Sequence, residues 1–180
     1  VIHELSFGLE NMNMSLKEMK RRVGEVVHFF NLQDILYKDV SKLSGGQKQL
    51  VNLASIVAMK PKVMLLDEPT AQLDPIASQE FLTMLKRVNE ELNITVVLVE
   101  HDLEQTMKMC DYLIYLENGE IQYNGTPRRI PKLKNYEKAL PVATQLFHKS
   151  NIEDIVYDFK SVRKWIKDHQ DNFTVLDKNE

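Results

Sequence analysis

Two apolar runs and the helix signal between them constrain the fold of this chain most. The first run, residues 63–67, ends in a carboxylate, and the second, residues 94–99, is rich in β-branched residues. Between them Asp74 precedes Pro75, a pair typical of the N-cap and first position of a helix. Apolar residues then recur at helical spacing to about residue 92. Strand, helix and strand in this order predict a βαβ unit whose parallel sheet is buried on both faces.

Acidic and imidazole side chains follow the two predicted strands. Asp67 and Glu68 end the first strand, and His101 comes just after the second. The carboxyl ends of parallel strands form the edge where open α/β sheets bind ligands. Because successive strand residues point to opposite sides, one carboxylate can hold Mg²⁺ while the other orients or deprotonates a water. A solvated acidic loop and a structural histidine are the alternative interpretations.

A second candidate site lies at Leu43-Ser44-Gly45-Gly46-Gln47. Ser44 is a good N-cap, and the two glycines let another molecule approach the backbone closely. Helical spacing of apolar residues continues to Ala58, and Met59-Lys60-Pro61 ends the helix. The free N–H groups and positive dipole end of such a helix suit an anion such as phosphate. An ordinary Ser-Gly-Gly turn is the alternative.

The flanking segments predict further local structure. Residues 12–60 are expected to form a small helical unit, in which Ser15 and Glu18 have the spacing of a capping box. After the βαβ unit we expect a short helix at 103–110 and a hairpin whose Asn118-Gly119 pair indicates a type I′ turn. Residues 152–166 have the spacing of an amphipathic helix, with Trp165 as its docking residue.

Length, charge and cysteine content bound the class of protein. The 180 residues suffice for one domain with an appendage, and a net charge of -3 lacks the basic footprint of nucleic-acid binding, so no nucleic-acid partner is expected. Cys110 is the single cysteine, which excludes an internal disulfide and fits a reducing cytoplasm. No apolar run is long enough to span a bilayer, so a membrane pathway would belong to another chain. The start at Val1 suggests a piece of a longer protein.

The order and spacing of these motifs resemble the ATP-binding-cassette (ABC) ATPases. LSGGQ at 43–47 resembles the signature motif, residues 63–70 the Walker B strand with its DEPT sequence, Gln72-Leu73-Asp74 the D-loop, and His101 the switch histidine. The stretch Glu4–Asn11 is similar to the run after the Q-loop in ATPases of energy-coupling-factor (ECF) transporters, which import vitamins or transition-metal ions. The resemblance covers about residues 4 to 130.

This resemblance implies the fold class and its division. It implies an α/β fold: a partial P-loop NTPase domain with a parallel sheet core over residues 1–130. Within it, residues of about 12–60 would be the helical subdomain and residues 61–130 the part with Walker B and the switch histidine. Residues 131–180 would be a linker or helical C-terminal extension. They resemble the connector after the first cassette of fused ECF ATPases, and a simple extension explains them nearly as well.

The resemblance also implies the chemistry, with ATP and Mg²⁺ as cofactors. Asp67 would hold Mg²⁺, Glu68 would act as general base or water orienter, and His101 would hold the γ-phosphate. Nucleotide-binding positions would be Ser44, Gly45, Gly46, Gln47, Asp67 and Asp74. Partners would be a second ABC ATPase domain (in a homo- or heterodimer, or fused), a transmembrane coupling subunit and a substrate-binding membrane component. The location would be the cytoplasmic face of the cell membrane.

One family motif does not occur in this sequence. None of the six glycines begins the pattern G-x-x-x-x-G-K-[ST], whose backbone and lysine cradle the phosphates of ATP. We therefore expect this chain alone neither to bind ATP tightly nor to hydrolyse it, and we expect an unpaired sheet edge that favours self-association. Two alternatives to an importer ATPase are a soluble ABC ATPase that acts on DNA or ribosomes and a non-catalytic interaction module that has lost this loop.

Overall fold

The computed structural model describes residues 1–101, 103–127, 144–145 and 159–169. The chain divides into two compact units, residues 1–101 and 102–180. None of the helices in the described residues is long and apolar enough to span a membrane. The predicted domain boundary near residue 130 stays a prediction.

The first unit contains four α-helices and two strands among its described elements. In chain order they are α1 (Ile2–Asn11), α2 (Leu16–Phe29), two short 3₁₀ turns (Gln33–Ile35 and Val40–Lys42), α3 (Gly45–Ala58), β1 (Val63–Asp67), α4 (Pro75–Leu92) and β2 (Thr95–Val99). This order confirms the predicted strand, helix and strand, with both strand assignments correct to within one residue.

A layer of three helices precedes the sheet. Both α1 and α2 pack against α3, and the side chains of Leu5 and Leu9 on α1 are fully buried. Gly8 lies between them on α1, where an added Cβ would stand 2.7 Å from the sulfur of Met59. A larger residue there would require the Met59 side chain to shift. The helical layer begins at α1, before the range of 12–60 expected from sequence.

Helix α2 begins as predicted but its capping box is incomplete. The Ser15 hydroxyl accepts a hydrogen bond from the Glu18 amide at 3.3 Å. The Glu18 carboxylate instead pairs with Arg21 and Arg22, and these hydrogen bonds lower the pKa of Glu18 to about 2. The predicted reciprocal bond from Glu18 to the cap is therefore wrong, because two guanidinium groups lie on the next turn of the same helix and attract the carboxylate.

Strands β1 and β2 form a parallel pair in the register Val63 with Thr95 through Asp67 with Val99. Within the described residues each strand has only this one partner, which confirms the predicted unpaired edge. Burial on both faces is wrong for this chain. Met64 is buried, but four apolar side chains of the other face are 49–75% exposed, namely Val63, Leu65, Val97 and Val99. No described element covers that face, and the expected self-association stays a prediction.

Helix α4 connects the two strands. Its N-cap Asp74 accepts hydrogen bonds from the amides of Ile76 and Ala77, both at 3.0 Å, as the Asp-Pro pair predicts. The helix ends at Asn93, which adopts a left-handed conformation (φ 53°). Phe81, Leu82, Leu85 and Val88 form the buried stripe. This stripe anchors the connection from β1 to β2 in the core.

The second unit is described as α5 (Leu103–Met109), β3 (Leu113–Glu117), β4 (Glu120–Gly125) and a C-terminal helix, here α6 (Phe159–Asp168). Strands β3 and β4 pair antiparallel, and Asn118 and Gly119 both have positive φ, as the predicted type I′ turn requires. The predicted helix at 152–166 overlaps α6, and its residues 152–158 lie outside the described residues. The Trp165 ring stacks on His169 with centroids 4.3 Å apart.

Candidate functional site

The structure brings Glu68 and His101 into direct contact at the carboxyl ends of the two parallel strands. The His101 Nε2 atom lies 2.8 Å from the Glu68 Oε1 atom. Both side chains reach solvent, with 43% of Glu68 and 82% of His101 exposed. The βαβ topology therefore places an acid–base pair at the edge predicted from sequence, and the pair can be reached by a water or by the terminal phosphate of a nucleotide.

The backbone of Glu68 is strained. Its φ is 43°, in the left-handed region that non-glycine residues seldom adopt and that costs about 1–3 kcal/mol. Two backbone hydrogen bonds hold it there: its amide donates to the Val99 carbonyl at 3.0 Å, and its carbonyl accepts from the Ala71 amide at 3.2 Å. The strand ladder and the following turn together fix the direction of the Glu68 side chain.

A second link joins the same two loops, and sequence reasoning missed it. Glu100 accepts two hydrogen bonds on its Oε1 atom, from the Thr70 amide at 3.1 Å and from the Thr70 hydroxyl at 2.6 Å. Thr70 is buried. A signal was present, because Glu100 is a carboxylate directly after an apolar run and directly before His101.

Asp67 is the last residue of β1 and pairs in register with Val99. Its exposed carboxylate makes no hydrogen bond or ion pair with any residue that the structure describes. Mg²⁺ prefers oxygen ligands and commonly takes one or two carboxylates, with the rest supplied by water and phosphate. Asp67 therefore fits this ion. In the described part of the chain no three His, Cys, Asp or Glu side chains cluster as a metal site, so the ion would depend on the nucleotide for further ligands.

The glycine-rich candidate site is the first turn of α3. The Ser44 hydroxyl accepts from the Gln47 amide at 3.2 Å, and the Gln47 side-chain oxygen accepts from the Ser44 amide at 3.1 Å. This is a closed capping box. The box confirms Ser44 as the predicted N-cap. In this turn the Gly45 and Gly46 amides have no acceptor among the described residues, and the predicted anion binding by them stays a prediction.

The two glycines also have a packing role. A Cβ on Gly46 would lie 3.0 Å from the Ala77 Cβ, and a Cβ on Gly45 would lie 3.8 Å from the Leu73 side chain. Ala77 belongs to the first turn of α4, which Asp74 caps. The first turns of α3 and α4 are thus in close contact, and residues 44–47 lie beside the loop that contains Asp74.

The predicted site residues consequently form two groups in the first unit. Glu68 and His101 are hydrogen-bonded, with Asp67 adjacent on β1. Ser44, Gly45, Gly46 and Gln47 lie against the start of α4 near Asp74. Among the described residues no hydrogen bond or ion pair joins one group to the other. The two groups therefore offer separate contacts to a ligand.

We expect Ser44→Ala to lower the free energy of unfolding by about 1 kcal/mol, because the Gln47 amide loses its acceptor. Ser44→Asp is the matched control, since aspartate is an equally good N-cap, and its stability is expected to equal that of the original chain. Urea denaturation followed by circular dichroism measures both. Equal stability of all three proteins would show that the capping box contributes nothing.

Comparison with known proteins decides the family. The family model described as "ABC transporter" matches residues 2–71, which include α1, the first turn of α3 and β1 with the start of its loop. A Bacillus cereus protein named a putative ABC transporter ATP-binding protein is 44% identical over 172 residues, which are 93% of this chain and 31% of that protein. The chain carries part of an ABC transporter ATP-binding domain.

Two further proteins are similar to this chain. The energy-coupling factor transporter ATP-binding protein EcfA1 of Caldanaerobacter subterraneus is 35% identical over 175 residues, which are 93% of this chain and 62% of that protein. The structure of cbiO1 from Clostridium perfringens, described as part of the ABC transporter complex cbiONQ, matches with a TM-score of 0.66 and 32% identity, over 74% of this chain and 53% of that one. The likeness confirms the predicted α/β, P-loop NTPase-like fold.

The chain spans only part of the length of these relatives. The chain spans about a third of the Bacillus protein and less than two thirds of EcfA1. The matches in sequence and structure confirm the recognition of an ABC ATPase with ECF-type homologues.

Proposed function

We propose that this chain is part of the ATP-hydrolysing subunit of an ECF-type importer of vitamins or metal ions. The observation that carries the proposal is the Glu68–His101 hydrogen bond at the carboxyl ends of β1 and β2. A carboxylate and an imidazole in contact at this edge can position a water and accept its proton. The matches to EcfA1 and cbiO1 support the importer class.

Each site residue receives a role in this proposal. Glu68 orients or deprotonates the attacking water, and His101 donates or accepts a hydrogen bond at the γ-phosphate. Asp67 holds Mg²⁺, which when bound offsets the negative charge of the phosphates. The Gly45 and Gly46 amides, at the positive end of α3, bind the terminal phosphate of a nucleotide held by a second ABC ATPase domain. Ser44 and Gln47 stabilise the first turn of that helix. Asp74 connects the two nucleotide sites across the interface between the two ABC ATPase domains.

The partners follow from the same proposal. The second ABC ATPase domain belongs to a homo- or heterodimer or to the same polypeptide. A transmembrane coupling subunit receives the motion of the helical layer, and a separate membrane component binds the solute. The protein is peripheral, at the cytoplasmic face of the cell membrane. The membership of cbiO1 in the transporter complex cbiONQ supports this arrangement.

The test compares this 180-residue chain with the protein encoded by the complete gene. We expect the chain alone to show neither tight ATP binding nor hydrolysis, because it has no G-x-x-x-x-G-K-[ST] loop. The complete protein, purified with its membrane partners, should hydrolyse ATP only with Mg²⁺ and drive solute uptake into vesicles. Tight Mg²⁺-dependent ATP binding by the chain alone would contradict the first expectation. Hydrolysis stimulated by DNA or ribosomes, or none at all, would contradict the importer assignment in favour of its two alternatives.

A further inference from the structure

We propose that Glu100 is a positioning residue that sets the geometry of Glu68 and His101 by holding Thr70. The inference rests on the proposed function, because it assigns Glu100 a task in ATP hydrolysis. Glu100 would touch neither nucleotide nor water. It acts through the loop that follows β1, and it lies outside the sequence motifs described above.

The first support is the geometry of the two loops. One loop leaves β1 at Glu68 and the other leaves β2 at Glu100, and two cross-links join them. The outer link is the exposed contact of Glu68 with His101 at 2.8 Å. The inner link is the pair of hydrogen bonds from Thr70 to Glu100, at 3.1 and 2.6 Å, with Thr70 buried. The outer link can be displaced by a ligand, whereas the inner one keeps the loops together.

The second support is the strain at Glu68. A residue with φ of 43° returns to a lower-energy conformation unless its surroundings prevent it. The turn that prevents it runs from the Glu68 carbonyl to the Ala71 amide, and Thr70 lies inside this turn. By accepting hydrogen bonds from the amide and the hydroxyl of Thr70, the Glu100 carboxylate keeps the turn closed. Without this acceptor two donors in a buried position lose their partner, which favours a different loop conformation.

The consequence for the reaction is specific. Loss of Glu100 should misplace the Glu68 carboxylate relative to the water without removing any nucleotide contact. Displacements of about 1 Å in a reacting group cost up to about 100-fold in rate. We therefore expect Glu100→Ala, in the complete protein, to lower kcat by about 10- to 100-fold while KM for ATP changes less than about twofold.

Two variants separate positioning from general damage. Glu100→Gln keeps an oxygen acceptor for Thr70 and should restore most of the activity lost in Glu100→Ala. Glu80→Ala removes the same carboxylate from an exposed position of α4 and should leave kcat unchanged. Thr70→Val, which replaces the hydroxyl with a methyl group and keeps the amide, should lower kcat. Combining it with Glu100→Ala should lower kcat by much less than the product of the two single effects. A double variant whose loss of kcat equals the product of the two single losses would overturn the inference, and so would an unchanged kcat in Glu100→Ala.

A measurement that does not depend on ATP hydrolysis distinguishes the positioning role of Glu100 from the proposed function. In the same complete protein, the His101 side-chain nitrogen resonances report on its contact with Glu68. We expect Glu100→Ala to move them toward the positions seen in Glu68→Ala, and Glu100→Gln to leave them at the original positions. Unmoved resonances in Glu100→Ala would overturn the positioning role even if ATP hydrolysis is intact. Moved resonances in a protein that never hydrolyses ATP would support the geometric link and refute the proposed function.

Discussion

Glu68→Gln is expected to leave ATP bound to the complete protein and to lower the rate of its hydrolysis by about 10²- to 10⁴-fold. Glutamine keeps the size of the side chain and can still hydrogen-bond to His101, which lies 2.8 Å from the carboxylate oxygen. It cannot accept the proton of an attacking water. The largest effect should therefore fall on kcat, and nucleotide affinity should be retained.

The measurement is steady-state ATP hydrolysis together with equilibrium binding of a nucleotide. Glu80→Gln is the matched control, because it makes the same chemical change at an exposed position of α4. It should behave as the unsubstituted protein. A turnover number of Glu68→Gln equal to that of the control would remove Glu68 from the role of base or water orienter.

The largest effect on stability is expected for Leu85→Ala, which should lower the free energy of unfolding by about 2–5 kcal/mol. Leu85 lies in the middle of the buried stripe of α4 and is 1% exposed. Its truncation removes apolar contacts and leaves a cavity in the region that anchors the β1-to-β2 connection. Urea denaturation of the two proteins, with the midpoint and the slope both fitted, measures the difference.

Leu65→Ala is the control for that experiment, since the same atoms are removed from a side chain that is 75% exposed. We expect a change within about 0.5 kcal/mol. Equal losses at the two positions would mean that the outer face of the sheet is covered in solution. Concentration-dependent unfolding of the unsubstituted chain would identify another copy of the chain as what covers it.

Much of the fold was predictable because local chemistry dictates it. Asp74 followed by Pro75 is typical of the N-cap and first position of a helix, and α4 begins there. Asn118-Gly119 has the positive φ values of its turn type for the same reason. The apolar runs 63–67 and 94–99 form strands because their side chains are apolar and partly β-branched. In each case a few neighbouring residues decide the outcome.

The features that the sequence did not predict involve side chains with several possible partners, or residues that are far apart in sequence. The Glu18 carboxylate pairs with Arg21 and Arg22 instead of with the helix cap. The spacing of a capping box does not indicate whether such competing partners are present. The sheet face formed by Val63, Leu65, Val97 and Val99 is exposed because no described element packs on it. The apolar pattern of a strand shows which side chains could be buried, but not whether another element covers them. Glu100 and Thr70 are thirty positions apart; the position of Glu100 after an apolar run marks it as a candidate, but its partner follows only from the parallel pairing of β1 with β2.

In the candidate site too, some features were predictable from sequence and others depend on contacts between distant residues. Topology alone puts residues at the ends of β1 and β2 on one edge, which is why Glu68 and His101 could be expected near each other. The left-handed backbone at Glu68 was not predictable, because it results from hydrogen bonds to Val99 and Ala71 rather than from the preference of glutamate. The roles assigned to these residues stay predictions until the substitutions are made.

The closed capping box at the start of α3 has a consequence for recognition. Ser44 and Gln47 are hydrogen-bonded to each other, so the chain itself holds the turn that presents the Gly45 and Gly46 amides. Binding to a preorganised turn loses little conformational entropy, and more of the interaction energy appears as affinity. In the proposed function, a phosphate therefore meets a helix end that the capping box of the chain itself already holds in place.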